Sequence, residues 1–188
     1  FLDLSKSGAD YLGSASNGLR DQILALTWIS ENIQDYGGDP KNVTISGQSS
    51  GGSSVLSLLA CPSADDLYHK AIACSPTAVY SRKTNRVEDL ADRLNCAPED
   101  CLELLLEMSA TDLVNMQIGS RITVDGHVVT RSTFEAIEDR GENGVPLLTG
   151  TTLTEGSYYT KGDHESRDHY PWLNHYLARD MLGGDDPD

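Results

Sequence analysis

Gly47-Gln48-Ser49-Ser50-Gly51 fits the spacing Gly-x-Ser-x-Gly. A serine hydroxyl is a weak nucleophile at its free pKa. To attack a carbonyl carbon it needs a base, an orienting acid and a place for the developing negative charge. This pentapeptide serves that chemistry when a strand precedes it and a helix follows, because the sharp turn between them lifts the hydroxyl clear of the sheet. Such a turn forces Ser49 into a strained backbone and brings its neighbours two residues either side close together. Glycine at 47 and at 51 is therefore expected to remove side chains that would collide. The amide of Ser50, at the helix start, is the candidate donor to an oxyanion, and helix N-terminal polarity favours the same charge. Three fixed small residues also match by accident in roughly one chain of this length in twenty. The plainer alternative is a tightly packed glycine-rich turn, so the flanking elements decide.

Val43-Thr44-Ile45-Ser46 is a short β-branched run and reads as a strand, which Gly47 is expected to break. Ser50 to Ala60 resumes a helix-compatible pattern. Upstream, Asn17 is a plausible helix cap, and Leu19 to Asp35 carries Leu19, Ile23, Leu26, Ile29 and Ile33 at helical spacing. Tyr36-Gly37-Gly38-Asp39-Pro40 stops that helix. Downstream, Ala71 to Ser75 and Val145 to Gly150 read as strands, and Ser132-Thr133-Phe134-Glu135 has the capping-box pattern of a helix start. Strands alternating with helices predict an α/β fold with a mostly parallel sheet and helices on both faces. Ligands of such sheets bind beyond the carboxyl ends of the strands, which singles out the residues just after Ile45, Ile72 and Leu148. The helical stretch from Arg86 to Asp112 holds eight acids against two bases, a solvated face.

The 188 residues include 14 Lys+Arg against 29 Asp+Glu, a formal net charge of −15, and 38% are hydrophobic. That apolar share supports the core of one domain and excludes disorder of the whole chain. No apolar run approaches the roughly 20 residues of a membrane-spanning helix, and the acid excess argues against a nucleic-acid partner. The four cysteines lack the Cys-x-x-Cys spacing of a zinc site, so no metal is expected. They allow three pairings or none. Cys96 and Cys101 are close enough to bridge a short loop, whereas Cys61 and Cys74 have the apolar flanks of buried thiols. A 96–101 bridge favours an oxidising, secreted setting over a cytoplasmic one, and without it the compartment stays open. Asn42-Val43-Thr44 is a glycosylation sequon, expected to stay unmodified because it opens a strand. The ends, Phe1-Leu2-Asp3-Leu4 and Gly183 to Asp188, read as cuts through a longer protein.

A longer pattern surrounds the pentapeptide. It comprises Asn17-Gly18-Leu19-Arg20-Asp21-Gln22, Ala25-Leu26-Thr27-Trp28-Ile29, Glu31-Asn32-Ile33, Tyr36-Gly37-Gly38-Asp39-Pro40 and Asn42 to Ser49. It continues more loosely through Leu67 to Ile72 and Val124-Asp125-Gly126, and returns at Leu148 to Tyr159. This pattern resembles the type B carboxylesterase/lipase family, which includes the cholinesterases and is built on the α/β-hydrolase fold. The resemblance covers roughly residues 1 to 160. It implies that Ser49 is the nucleophile, that Ser50 supplies one backbone arm of the oxyanion hole and that Glu155 is the acid of a catalytic triad. Tyr158 and Tyr159 fall where family aromatics line the substrate pocket, with core packing the other reading. Cys96 and Cys101 lie where the cholinesterase branch has a disulfide around a longer loop.

The chain also departs from the family. Ser50 replaces a usual Ala, and Gln48 stands where cholinesterases carry Glu, so no choline-type cation site is expected. Cys74-Ser75-Pro76 replaces a common Gln-Ser-Gly, which unsettles the hydrogen bonds beneath the site. The resemblance places the glycine-rich oxyanion loop upstream of Phe1 and the triad histidine beyond Asp188. His69 and His127 precede Glu155, against the family order, and His164, His169 and His175 read as surface residues. Residues 1–188 are thus expected to be the central portion of a single α/β-hydrolase domain, truncated at both ends. The implied activity is hydrolysis of small-molecule carboxylic esters through an acyl-enzyme, without cofactor and in an unspecified oligomeric state. The alternative is an esterase-like binding or adhesion protein that has lost the chemistry.

Overall fold

The computed structural model describes residues 2–77, 87–116, 122–141, 144–153 and 155. A parallel sheet in the order β1-β2-β3 is built from β1 (Thr44–Gln48), β2 (Lys70–Cys74) and β3 (Leu147–Gly150). The expected break at Gly47 does not occur. Gly47 pairs with Ala73 inside the ladder and the strand ends one residue later.

Helix α1 (Asn17–Asn32) precedes β1, and α2 (Ser50–Leu58) follows it after a single residue. Asn17 is the first residue of α1 rather than its cap, because a 3-10 turn over Ser14–Ser16 feeds the helix directly. At the other end the chain passes through a second 3-10 turn (Ile33–Tyr36) to Gly37, whose left-handed backbone ends it as the glycine pair predicts. The acidic stretch forms three helices, α3 (Val87–Leu94), α4 (Cys101–Glu107) and α5 (Ala110–Asn115). Asn95, in left-handed backbone, and Pro98, opening a 3-10 turn, interrupt it. Helix α6 (Thr133–Arg140) starts on the expected capping box, with Ser132 and Glu135 bonding each other's amides.

The main core joins Leu19 and Leu26 of α1, Ile45 of β1, Val55 to Ala60 around the end of α2, and Ala71 and Ala73 of β2. Leu19 is fully enclosed, and a leucine buried this way stabilises the fold by about 1.5–3 kcal/mol. Helix α2 packs against both β1 and β2, which seats the start of that helix at the carboxyl edge of the sheet. A smaller cluster of Val87, Leu90, Ala91, Cys101 and Leu105 holds α3 to α4.

Candidate active site

Register assembles the site. Gln48 pairs with Cys74, and Cys74 pairs with Gly150. The residues that follow these three therefore leave the same edge of the sheet side by side. They are Ser49, Ser75 and Thr151, as expected for a parallel sheet.

Ser49 has φ 55 and ψ −121, left-handed backbone at a non-glycine residue, and stands between β1 and α2. Such strain persists where surrounding contacts over-determine it. The Ser49 amide donates to the Cys74 carbonyl at 3.0 Å, and the Ser49 carbonyl accepts the Ser53 amide at 2.9 Å. Glycine permits the turn, at positions that differ partly from expectation. A Cβ on Gly47 would lie 2.3 Å from the carbonyl carbon and oxygen of Gly51, so the close approach is real. A Cβ on Gly51 itself would meet nothing within 4 Å among the described residues, so the expected need for glycine there is not met. The second crowded position is Gly52, where a Cβ would lie 2.8 Å from the Cys74 carbonyl oxygen. Ser50 is the first residue of α2 and is exposed, so its amide has no helical carbonyl one turn behind it to bond. Among the described residues that amide is open to an anion.

Glu155 lies beyond the end of β3 and is partly exposed. Its Oε2 accepts three hydrogen bonds: from the Ser75 hydroxyl at 2.7 Å, and from the Thr152 amide and hydroxyl, each at 2.9 Å. The Ser75 bond first, then the two from Thr152, hold this carboxyl below its ordinary range, because each donor favours the charged form. All three donors meet one oxygen. Among the described residues none meets Oε1, which remains the free acceptor of a fixed carboxylate.

Ser75 was not singled out by residue type, and it carries much of this arrangement. It has φ 47, and its amide donates to the Gly150 carbonyl at 2.7 Å. The sequence puts Ser75 within the expected strand Ala71 to Ser75, whereas β2 ends at Cys74 and leaves Ser75 just beyond it. With Cys74 and Pro76 on either side, the Ser75 hydroxyl bonds Glu155 Oε2. The histidines fall elsewhere. His69 Nδ1 accepts the Val43 amide at 3.2 Å at the start of β2, the opposite end of the sheet from Ser49. His127 lines a cavity of about 330 Å³ with Asp3, Lys6, Glu88 and Asp125, away from Ser49 and Glu155. Tyr158, Tyr159, His164, His169 and His175 lie outside the described residues. The Cys96 and Cys101 sulfurs are 3.6 Å apart as thiols. No group of three or more His, Cys, Asp or Glu side chains among the described residues could hold a metal ion. No helix among them is long and apolar enough to cross a membrane.

Comparison with known proteins gives the family and the fold. A family model described as "Carboxylesterase family" matches residues 13–179. The chain belongs to the carboxylesterase family. Para-nitrobenzyl esterase of Bacillus subtilis is 34% identical over 180 residues, covering 88% of this chain and 36% of that protein. Neuroligin-2 of Rattus norvegicus is 34% identical over 178 residues, covering 86% of this chain and 21% of its own length. A solved thermophilic PNB esterase superimposes with a TM-score of 0.70 at 30% identity, over 91% of this chain and 40% of that one. The sheet and helices are accordingly part of an α/β-hydrolase fold. The chain spans about a third of the length of the bacterial esterase it matches.

Proposed function

We propose that this chain carries the nucleophile and the acid of a serine carboxylic-ester hydrolase that works through an acyl-enzyme intermediate. One observation supports the reading above the others. Ser49 stands in left-handed backbone at a strand-to-helix joint, on the same sheet edge as a carboxylate fixed by three donors with its second oxygen open. A glycine-rich structural turn would require the first feature and not the second.

In this mechanism Ser49 Oγ attacks the ester carbonyl carbon and passes its proton to a histidine, expected beyond Asp188. Glu155 Oε1 holds that histidine in the right tautomer and stabilises its cation. The Ser50 amide donates to the oxyanion of the tetrahedral intermediate, joined by donors from a loop upstream of Phe1. The intermediate collapses, and the departing alcohol takes the proton from histidine. Water then attacks the acyl-serine by the same route in reverse, releasing the acid and restoring Ser49.

Residues 1–188 are the central portion of a single hydrolase domain in this reading. The two outer strands support that division, since β1 and β3 each have one unpaired side among the described residues and Leu148 of β3 is 65% exposed. A strand bare on one side with an exposed leucine calls for a neighbour.

Hydrolysis of a p-nitrophenyl ester by the full-length protein, compared with its Ser49→Ala variant, tests the proposal. Ser49→Ala should lower kcat by a factor on the order of 10⁵–10⁶. A folded variant that keeps its turnover overturns the assignment. A folded protein that binds esters without hydrolysing them supports the binding-protein alternative instead.

A further inference from the structure

Ser53 lies one turn into α2 from Ser49. Its hydroxyl donates to the Ser49 carbonyl at 3.2 Å, and the same oxygen accepts the Thr77 amide at 2.8 Å. The first of these bonds is generic, because Ser54 and Ser57 also bond back to carbonyls one turn earlier. The second is not. It reaches out of the helix, across 24 positions of sequence, to the segment that leaves β2.

That segment has a strained residue to hold. Ser75 sits at φ 47, a conformation that L side chains avoid unless neighbouring contacts impose it. On its upstream side the Cys74 carbonyl accepts the Ser49 amide. At Ser75 itself the amide is tied to Gly150. On its downstream side, among the described residues, the tie is Thr77 to Ser53. The backbone around Ser75 is thereby clamped from three directions, two of them ending on Ser49 or its helix. The result is a Ser75 hydroxyl 2.7 Å from Glu155 Oε2.

We infer that Ser53 is a positioning residue, whose hydroxyl anchors Thr77, closes the turn around Ser75 and so keeps Ser75 Oγ on Glu155. This rests on the esterase reading, because it assigns Ser53 to the alignment of that site's acid. Ser53 touches neither Glu155 nor a reacting atom, and, its bond to the Ser49 carbonyl being the generic helical one, its role at the acid runs through Ser75. Two consequences separate this role from ordinary packing. The first is that the effect belongs in kcat, since acid alignment matters in the transition state. The second is that Ser53 and Ser75 are non-additive.

The experiment is a double-mutant cycle in the full-length enzyme, with p-nitrophenyl ester as substrate. Alanine suits α2, so Ser53→Ala leaves the helix formed. Ser53→Ala should lower kcat about 10-fold with KM within about 2-fold, and in a Ser75→Ala background the same change should cost less than about 2-fold. Ser53→Thr, which restores the hydroxyl, should recover kcat. An unchanged kcat, a loss confined to KM, an equal loss in both backgrounds or no rescue by threonine each overturns the inference. A wild-type protein that neither hydrolyses the ester nor accepts a fluorophosphonate would defeat the esterase reading instead. The clamp is then read by amide hydrogen exchange. Faster exchange over residues 74–77 in Ser53→Ala supports the tie, and unchanged exchange there overturns it.

Discussion

The glycines of the turn at Ser49 give the sharpest test of the local geometry, because two that share one motif should respond differently. Replacing Gly47 by alanine puts a methyl carbon 2.3 Å from two backbone atoms of Gly51 and 2.8 Å from the Gly52 nitrogen. Carbon contacts settle at about 3.5–4.0 Å, so β1 and the first turn of α2 would have to separate by more than about 1 Å. The obstructing atoms are backbone, with no flexible side chain to swing aside. Overpacking costs about 1–3 kcal/mol where side chains can yield, and this case should reach or exceed about 3 kcal/mol. Gly51 is helical, lacks a positive φ and has open space around its Cβ position. Gly51→Ala should therefore be neutral or stabilising by up to about 1 kcal/mol, through the reduced entropy of the unfolded chain. Urea unfolding of the full-length protein reads both. Should Gly47→Ala fail to accumulate in folded form, Gly51→Ala still folds and keeps the comparison informative. A Gly47→Ala protein as stable as wild type, or a Gly51→Ala protein as damaged as Gly47→Ala, would refute the reasoning.

Other expectations follow from the acid and the thiols. Glu155→Gln should lower kcat by about 10³–10⁴ with little change in KM, as steady-state kinetics would show, because the neutral amide cannot stabilise the histidine cation. Ser75→Ala removes the leading cause of the lowered Glu155 pKa. A carboxyl lowered in the folded state contributes stability above its unfolded pKa and loses it as pH falls through the folded value. The Ser75→Ala deficit should thus be present at neutral pH and shrink in acid, which urea midpoints across that range would reveal. Cys101 is buried, and burial first and the Cys96 thiol second push it up to about 11, so it stays protonated at neutral pH. We propose that Cys96 and Cys101 close a disulfide in an oxidising compartment, worth roughly 2 kcal/mol for so short a loop. Alkylation before and after reduction, read by mass spectrometry on the peptide holding both, checks it.

Much of this site was legible because local chemistry and tertiary geometry agree at particular residues. Val43 to Ile45 followed by Gly47 and Ser49 announced the strand and the turn into α2, and Ser132 with Glu135 announced the start of α6. Gly47 was read correctly as a point of close approach, since its neighbour across the turn is only four residues away. Gly51 and Gly52 were not separated, because the crowding at Gly52 comes from the Cys74 carbonyl, and nothing local to residues 50–53 shows where β2 ends. Ser75 was hidden for a similar reason. Its left-handed backbone is flanked by the bonds Ser75 to Gly150, Cys74 to Ser49 and Thr77 to Ser53, pairs 24 to 75 residues apart in sequence. The break between α3 and α4 could have been read from Asn95 and Pro98, and the one between α4 and α5 from Ser109, whose side chain caps α5. The charge count drew attention to the surface of that stretch and away from its breaks.

The central claim is that Ser49 is an activated nucleophile. It is tested most directly by treating the full-length protein with a fluorophosphonate and mapping the adduct by peptide mass spectrometry. A single covalent adduct on Ser49, absent in Glu155→Gln at matched exposure time, is the expected result. A folded wild-type protein whose Ser49 stays unlabelled, or in which Ser50 or Ser53 is labelled instead, would contradict the account.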